Sequence, residues 1–584
     1  MRKVLIVLGT LALGATTVGR AAVAPKPYVA TAPVKLPMDF NHFYPYEEIV
    51  DALHRLNRAF PQLSKVYTVG HSREGRDLVV IEITNYAKGD PAKKPGIFID
   101  GNIHGNEIQG GEVALYTAWY LLNRYDLNDP YARKLVDDRT WYILPVVNVD
   151  SRVRFFTQPQ DPNTPRHNSK PYDNDRDGLV DEDPPMDLDG DGQILEMRIR
   201  DPFGNMKPGP DPREMDPRDT FERGTWRLLG NEGIDHDGDG RTGEDDIGGG
   251  MDMNRNYPAN WAPPHRQFGA GPYPTSEPEI LAEVLFTDAH PNIVLVQNYH
   301  NNGNFILYPP SDRASAQGNA ADVQVLNALG QRGLKFLPDY TQGTSFDLLY
   351  SVNGGSLDFH YLMHGAWAFT NELWRLEPQY RTQEGSDQQL KYNDEVVHGM
   401  WFTPWHKFMH PQFGEVEIGG WNQFSSRVPP ADYLPEMCQR NCLFTLFKAS
   451  QLAELSVEEA TAEALGGGMY KVKVRVANLG SLPTRPAETA RNGAEPPLTV
   501  AFGAPASVQI IAAGSAQRFT WALRATEVPK QPRDLALLKI GTLAGQSDVW
   551  LVWLVKKTGS APASITITAA HPKTGEASRD VMLQ

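Results

Sequence analysis

The stretch "DGNIHGNEIQGGE" (Asp100–Glu112) sets a histidine and a glutamate, His104 and Glu107, three residues apart. Imidazole nitrogen and carboxylate oxygen are both ordinary ligands for a divalent ion such as zinc. The pair does not make a site by itself, because a catalytic zinc takes three protein ligands and keeps one position open. The alternative for a lone H-x-x-E is a polar turn with Glu107 near a helix N-terminus, where the macrodipole favours an acid. A third ligand is available in "LVQNYHNNGNFILYP", where His300 ends an apolar run; the alternative there is a buried structural histidine. Chemistry at such an ion also needs a base and a clamp for the substrate. Glu372 ends the apolar run in "AFTNELW", and Asn254 and Arg255 stand together in "GMDMNRNYPANW".

These residues can meet only if the elements carrying them share one sheet edge. The segments "LVVIEIT", "GIFID", "TWYILPVVNV", "NIVLVQNYH", "NFILYP" and "AWAFTNELW" read as strands. "YEEIVDALHRLNRAF", a run from about Glu107 to Asn123, "SEPEILAEVLFTDA" and "PEMCQRNCLFTLFKASQLAEL" read as helices. Alternation of this kind predicts an α/β domain with a mixed, largely parallel twisted sheet and helices on both faces. Open sheets of this class hold their ligands at the carboxyl edge of the strands, and His300 falls there. From Thr157 to about Gly250 the chain is polar and rich in Asp, Gly and Pro, and it reads as an insertion into the domain.

Taken in order, "HGNE", "NVD", "DMNRNY", "SEPE", "NYHNNGNFILYP", "YSVNGGSLDF" and "FTNEL" resemble the zinc carboxypeptidases of the funnelin type, the M14 metallopeptidases. The resemblance runs from about Tyr44 to Leu455 with the insertion set aside. It implies a carboxypeptidase-like fold and zinc held by His104, Glu107 and His300. It further implies Glu372 as general base, Asn254 and Arg255 on the substrate's terminal carboxylate, and Tyr350 closing over bound substrate. Asp252 matches the position that orients a zinc-ligating histidine. The family's carbonyl-polarising arginine is expected at Arg198 or Arg200 in "EMRIRD", with Arg198 favoured; the alternative is a pair of surface arginines. At the positions lining the pocket for the C-terminal side chain stand Leu357, Ser311, Val352 and Thr370. None is acidic, which favours an apolar or broad preference.

The chemistry that the residues themselves allow is consistent with peptide hydrolysis. Zinc acidifies water, a carboxylate can take its proton and pass it to the leaving amine, and arginine reads a free carboxylate through two parallel hydrogen bonds. The expected partners are therefore the C-termini of peptides or proteins. The alternatives within the same fold are a cell-wall peptidase and a deacylase; a binding protein on a dead scaffold is disfavoured because no ligand and no base is missing.

Three acidic segments remain. "DNDRDGLVDEDP" offers Asp173, Asp175 and Asp177, "DLDGDGQILEMR" offers Asp187, Asp189 and Asp191, and "DHDGDGRTGEDD" offers Asp235, Asp237 and Asp239. Oxygens at alternate positions followed by glycine resemble the start of a calcium-binding EF-hand loop. The twelfth positions, Pro184, Arg198 and Asp246, lack the glutamate of that loop. The two readings are calcium in irregular loops, which would rigidify the insertion beside Asn254 and Arg255, and solvated acidic turns.

The remainder bounds the answer. A chain of 584 residues predicts more than one domain, and a net charge of −15 speaks against nucleic acid as a partner. Residues 1–24 read as an export signal, with Arg2 and Lys3, an apolar Val4–Ala15 run and an A-x-A site ending at Ala24. That implies a secreted or periplasmic protein without a membrane span after cleavage. Residues 25–43 form a Pro-rich leader and 44–455 the catalytic domain, with the insertion at about 157–250. Residues 456–584 carry short alternating strands that predict an Ig-like β-sandwich accessory domain. The two cysteines, Cys438 and Cys442, sit one helical turn apart and read either as a disulfide or as packed thiols. Nothing in the sequence sets an oligomeric state.

Overall fold

The computed structural model describes residues 33–173, 178–219, 222–245, 249–312, 319–381, 387–425, 427–523 and 534–584. The predicted export signal lies outside the described residues. Among them, no helix is long and apolar enough to cross a membrane.

The helix Tyr46–Ala59 opens with Glu47 and Glu48, which suit the positive end of its dipole, and buries Ile49, Ala52, Leu53 and Leu56 along one face. It packs beside an eight-stranded sheet. In spatial order the strands are Ser64–His71, Asp77–Ile83, Thr140–Leu144, Gly96–Gly101, Ile293–Asn301, Trp367–Leu373, Phe305–Tyr308 and Thr341–Thr344. The central strands run parallel, and antiparallel pairs flank them. Every residue of Ile293–Asn301 is buried. That is why its first half, residues 293–296, reads as a continuous apolar run and not as an alternating one.

The helix Gln109–Asp126 is buried along most of its length between the sheet and the helix Leu434–Ser450. Cys438 and Cys442 lie on the latter as free, buried thiols.

The segment read as a loop-like insertion is built differently. Its strands Glu196–Arg200, Met206–Pro208, Met215–Pro217 and Trp226–Asn231 join Phe402–His410 and Gly414–Trp421 in a six-stranded sheet. Leu195, Met197, Leu229, Val416 and Ile418 form its own small core. The insertion is thus completed by residues far downstream.

The C-terminal part is a sandwich of two four-stranded antiparallel sheets. One contains Leu455–Gly466, Met469–Asn478, Ser547–Lys557 and Val508–Ser515; the other contains Leu537–Gly541, Leu498–Gly503, Ala563–His571 and Gly575–Leu583. Val472, Val474, Leu551, Trp553, Ile565 and Ile567 fill the space between them. Between the strands Val508–Ser515 and Leu537–Gly541, Ala516 and Leu523 form only an isolated bridge.

Candidate metal centre and substrate pocket

His104 and Glu107 lie in the turn between the strand Gly96–Gly101 and the helix Gln109–Asp126. Small residues let this turn approach the strand carrying His300. A Cβ on Gly101 would stand 2.6 Å from the backbone of Gly110, and one on Gly110 would stand 2.8 Å from the carbonyl oxygen of Tyr299. The three side chains converge as a result. His104 Nδ1 lies 2.9 Å from Glu107 Oε1, His300 Nδ1 lies 3.1 Å from Glu107 Oε2, and the two Nδ1 atoms are 3.3 Å apart. All three residues are buried.

The donor set fits zinc. Two imidazole nitrogens facing each other at that distance, beside a carboxylate, leave room for one shared proton at most, whereas a divalent cation satisfies all three donors together. The other nitrogen of His104, Nε2, lies 2.9 Å from Asp252 Oδ1. Assigning the proton to Nε2, as a donor to Asp252, turns the Nδ1 lone pair toward the centre. Burial works against the charge of Asp252, but Arg255, His104 and Arg166 outweigh it and hold its carboxyl well below the usual range. Burial is likewise outweighed at Glu107, which His104 and His300 keep ionised.

The parallel pairing of Trp367–Leu373 with Ile293–Asn301 sets Glu372 opposite His300. Burial pushes the Glu372 carboxyl up to about 7; His300 opposes the shift, Glu107 adds to it, and Arg166 and Arg427 also oppose it. Asp252 caps the short helix Met253–Arg255, accepting from the backbone N–H of Asn254 at 2.9 Å. The cap holds Asn254 and Arg255 beside the centre. Asn254 Nδ2 comes within 3.5 Å of His300 Nε2, and Arg255 donates to the Tyr350 hydroxyl at 3.3 Å. Tyr350 itself is half exposed over the opening.

His104, Glu107, His300, Glu372, Asn254, Arg255 and Tyr350 line one cavity of about 230 Å³ with Leu307, Ser311, Val352, Leu357 and Thr370. Its far wall is thus largely apolar, with hydroxyls and no carboxylate.

The structure brings together His104, Glu107, His300, Asn254, Arg255, Tyr350, Leu357 and Glu372, with Asp252 behind them, but not Arg198. Arg198 lies in the six-stranded sheet, where it donates to Glu417 at 2.7 Å and stacks between Trp226 and Trp405. Besides Arg255, the arginines that line the cavity are Arg166 and Arg427. Arg166 donates to Glu107 at 2.9 Å and lies 3.5 Å from Asp252. These two carboxylates outweigh burial and hold its guanidinium firmly charged. Arg427 donates to the carbonyl oxygen of Asn301 at 3.2 Å. Arg166 precedes the acidic segments, so the order "arginine, then Asn-Arg" was present in the sequence; Arg427 follows Glu372 by more than fifty residues and had no such signal.

Asp175 and Asp177 lie outside the described residues. Asp187, Asp189 and Asp191 cluster, as do Asp235 and Asp237 with Asp183, while Asp239 belongs to neither group. Asp187 accepts from the backbone of Gly190, Asp191 and Gly192, and Asp235 from that of Gly238 and Gly240. Asp173 accepts from Gly178. His406 pairs with Asp189, and His236 with Asp183. Side chains capping their own glycine-bearing turns account for the aspartate spacing without an ion.

The chain is 38% identical to mouse carboxypeptidase Z over 120 residues, which is 20% of this chain and 18% of that protein. It is 23% identical to mouse carboxypeptidase A6 over 344 residues, 57% of this chain and 61% of that protein. A crystal structure of thrombin activatable fibrinolysis inhibitor aligns over 72% of this chain and 77% of its own, with 16% identity and a TM-score of 0.45. Residues 454–582 match a domain of unknown function, DUF8731. The family model described as zinc carboxypeptidase, Peptidase_M14, matches residues 49–183 and 225–394, and with half of its length so matched the chain belongs to that family.

Proposed function

We propose that this protein is a zinc-dependent metallocarboxypeptidase that removes the C-terminal residue of peptides. What carries the reading is the convergence of His104, Glu107 and His300 with Glu372 and Arg255 around one cavity. His104, Glu107 and His300 would hold the ion. When bound, zinc supplies a Lewis acid that acidifies water and polarises a carbonyl oxygen.

The other steps belong to side chains. Arg255 and Asn254 bind the terminal carboxylate of the substrate, the guanidinium through paired N–H donors. Tyr350, already hydrogen-bonded to Arg255, covers the bound residue and limits water. Leu357, Val352 and Leu307 receive an apolar or mixed C-terminal side chain. Glu372 accepts a proton from the attacking water at a carboxylate oxygen and returns it to the departing amine. Arg166 donates to the scissile carbonyl as negative charge develops there.

The test is release of the C-terminal residue from a panel of blocked dipeptides by the zinc-loaded protein and by Glu372→Gln. The expected result is cleavage of apolar C-termini by the wild type and a loss of roughly 10²–10⁴-fold in the variant, with zinc still bound. Cleavage surviving in Glu372→Gln removes the base. Inactivity of the zinc-loaded wild type on every dipeptide moves the reading to wall peptides or acylated amino acids, with Arg255 reading a different carboxylate.

A further inference from the structure

A second group of ionisable side chains lies inside the catalytic domain and plays no part in the proposed reaction. Asp100 stands on the strand Gly96–Gly101, Glu283 on the helix Pro278–Ala289 and His360 on the helical turn Phe359–Met363. Their exposures are 3%, 0% and 0%. Each offers one ligand atom, and these atoms lie within 4.8 Å of one another. None of the three lines the substrate cavity.

Their hydrogen bonding is incomplete. His360 Nε2 lies 3.3 Å from Glu283 Oε1, and Asn298 donates to Asp100. His360 Nδ1 is buried without a hydrogen-bond partner, and the buried Glu283 carboxylate has, beyond His360, only the Tyr257 hydroxyl against it. Among the described residues, neither carboxylate pairs with an arginine or a lysine. Two buried carboxylates without a counter-charge repel each other and resist ionisation. Burial accordingly raises Asp100 well above its usual range and Glu283 to about 7, and it holds His360 neutral. Two ionised carboxylates and a neutral imidazole balance one divalent charge. The imidazole is fixed for such a role by the rings of Phe98 and Phe359, whose centroids lie 5.8 and 4.9 Å from its own.

We propose that Asp100, Glu283 and His360 bind a second divalent transition-metal ion, separate from the catalytic centre. Two carboxylate oxygens and one imidazole nitrogen suit zinc or manganese. The ion would be structural. It would clamp the helix Pro278–Ala289 and the Phe359–Met363 turn to the strand that leads into His104.

The test is metal content by mass spectrometry of full-length protein incubated with zinc, or with zinc and manganese, and then dialysed against metal-free buffer. The wild type should hold two equivalents. His360→Phe should lose one and keep the other, and His300→Ala should show the converse loss. One equivalent in the wild type, unchanged by His360→Phe and lost in His300→Ala, overturns the proposal. A core variant can fail to fold, so wild-type crystals supply an independent readout. Anomalous diffraction above the zinc and manganese edges should give a peak between Asp100, Glu283 and His360; a peak only at His104 and His300 overturns the assignment. Neither readout uses activity, so failure here leaves the carboxypeptidase reading standing.

Discussion

Arg166 precedes the first acidic segment and Arg198 ends the second; they are the same residue type, and their surroundings divide them. Arg166 reaches Glu107 and Asp252 at the cavity wall, while Arg198 is enclosed by Glu417, Trp226 and Trp405. In the proposed reaction the first stabilises developing charge; the second is a packing element whose guanidinium is both paired and stacked. Arg166→Gln should therefore lower kcat by about 10²–10³-fold, the cost of removing one preorganised donor. Arg198→Ala should leave kcat/KM near the wild-type value. It should cost roughly 3–5 kcal/mol of stability, as expected when one partner of a largely buried pair is lost. Steady-state kinetics and denaturant titration of the two variants separate the roles; the reverse pattern would return the carbonyl-polarising function to Arg198. The convergence of His104, Glu107 and His300 was legible in the sequence because His104 and His300 each follow a strand-like apolar run at the same sheet edge. The arginine was not, because position along the chain says nothing about which of two nearby guanidiniums the sheet turns inward.

At the scale of elements, the central sheet was readable and the strands of the insertion were not. Runs such as "NIVLVQNYH" and "AWAFTNELW" carry the apolar signature of strands buried on both faces. The strands Glu196–Arg200 and Trp226–Asn231 are short, surrounded by Asp, Gly and Pro, and depend on Gly414–Trp421 for a neighbour. Strand pairing at that sequence separation leaves no local trace. Leu455–Gly466 was obscured differently, since "LSVEEATAEALG" is rich in helix formers and is held extended by Met469–Asn478. The insertion also carries a buried acid that makes its stability depend on pH. Glu232 accepts from the backbone of Leu188 and Leu195, and burial, reinforced by Asp189 and Asp191, pushes it up to about 8. An acid whose folded pKa lies above its unfolded value binds more protons when folded. Its contribution is therefore greatest below about pH 4.5 and is lost as pH rises toward 8. The melting temperature of the wild type should fall relative to that of Glu232→Gln as pH is raised from 5 to 8. A constant difference across that range would show that Glu232 does not titrate there.

At the scale of the whole molecule, the β-sandwich is tied to the strand that carries His300. Lys573, 1% exposed, donates from Nζ to the carbonyl oxygens of Ile293 at 2.7 Å and Pro291 at 3.3 Å, at the start of Ile293–Asn301. Its ammonium lies 3.3 Å from Glu495. Burial pulls the Lys573 pKa down to about 8, and Glu495 opposes that shift. A second tie is Asp322, on a catalytic-domain helix, which accepts from the backbone of Ala487 and Glu488 at the start of the sandwich's own helix Ala487–Asn492. Leu482 joins the main core cluster of the catalytic domain. Contacts of this kind, with charges buried between the two parts, couple their unfolding, because opening the junction strands polar groups in an apolar setting. Calorimetry should then give a single transition for the wild type. Lys573→Met keeps most of the side-chain volume but leaves Glu495 without its partner and two carbonyls without a donor. It should cost roughly 3–5 kcal/mol and split the transition into two, with the sandwich melting first. A single transition at the wild-type temperature in Lys573→Met would mean that the junction is held by its apolar contacts alone, and the grip on the root of the His300 strand would then have no energetic weight.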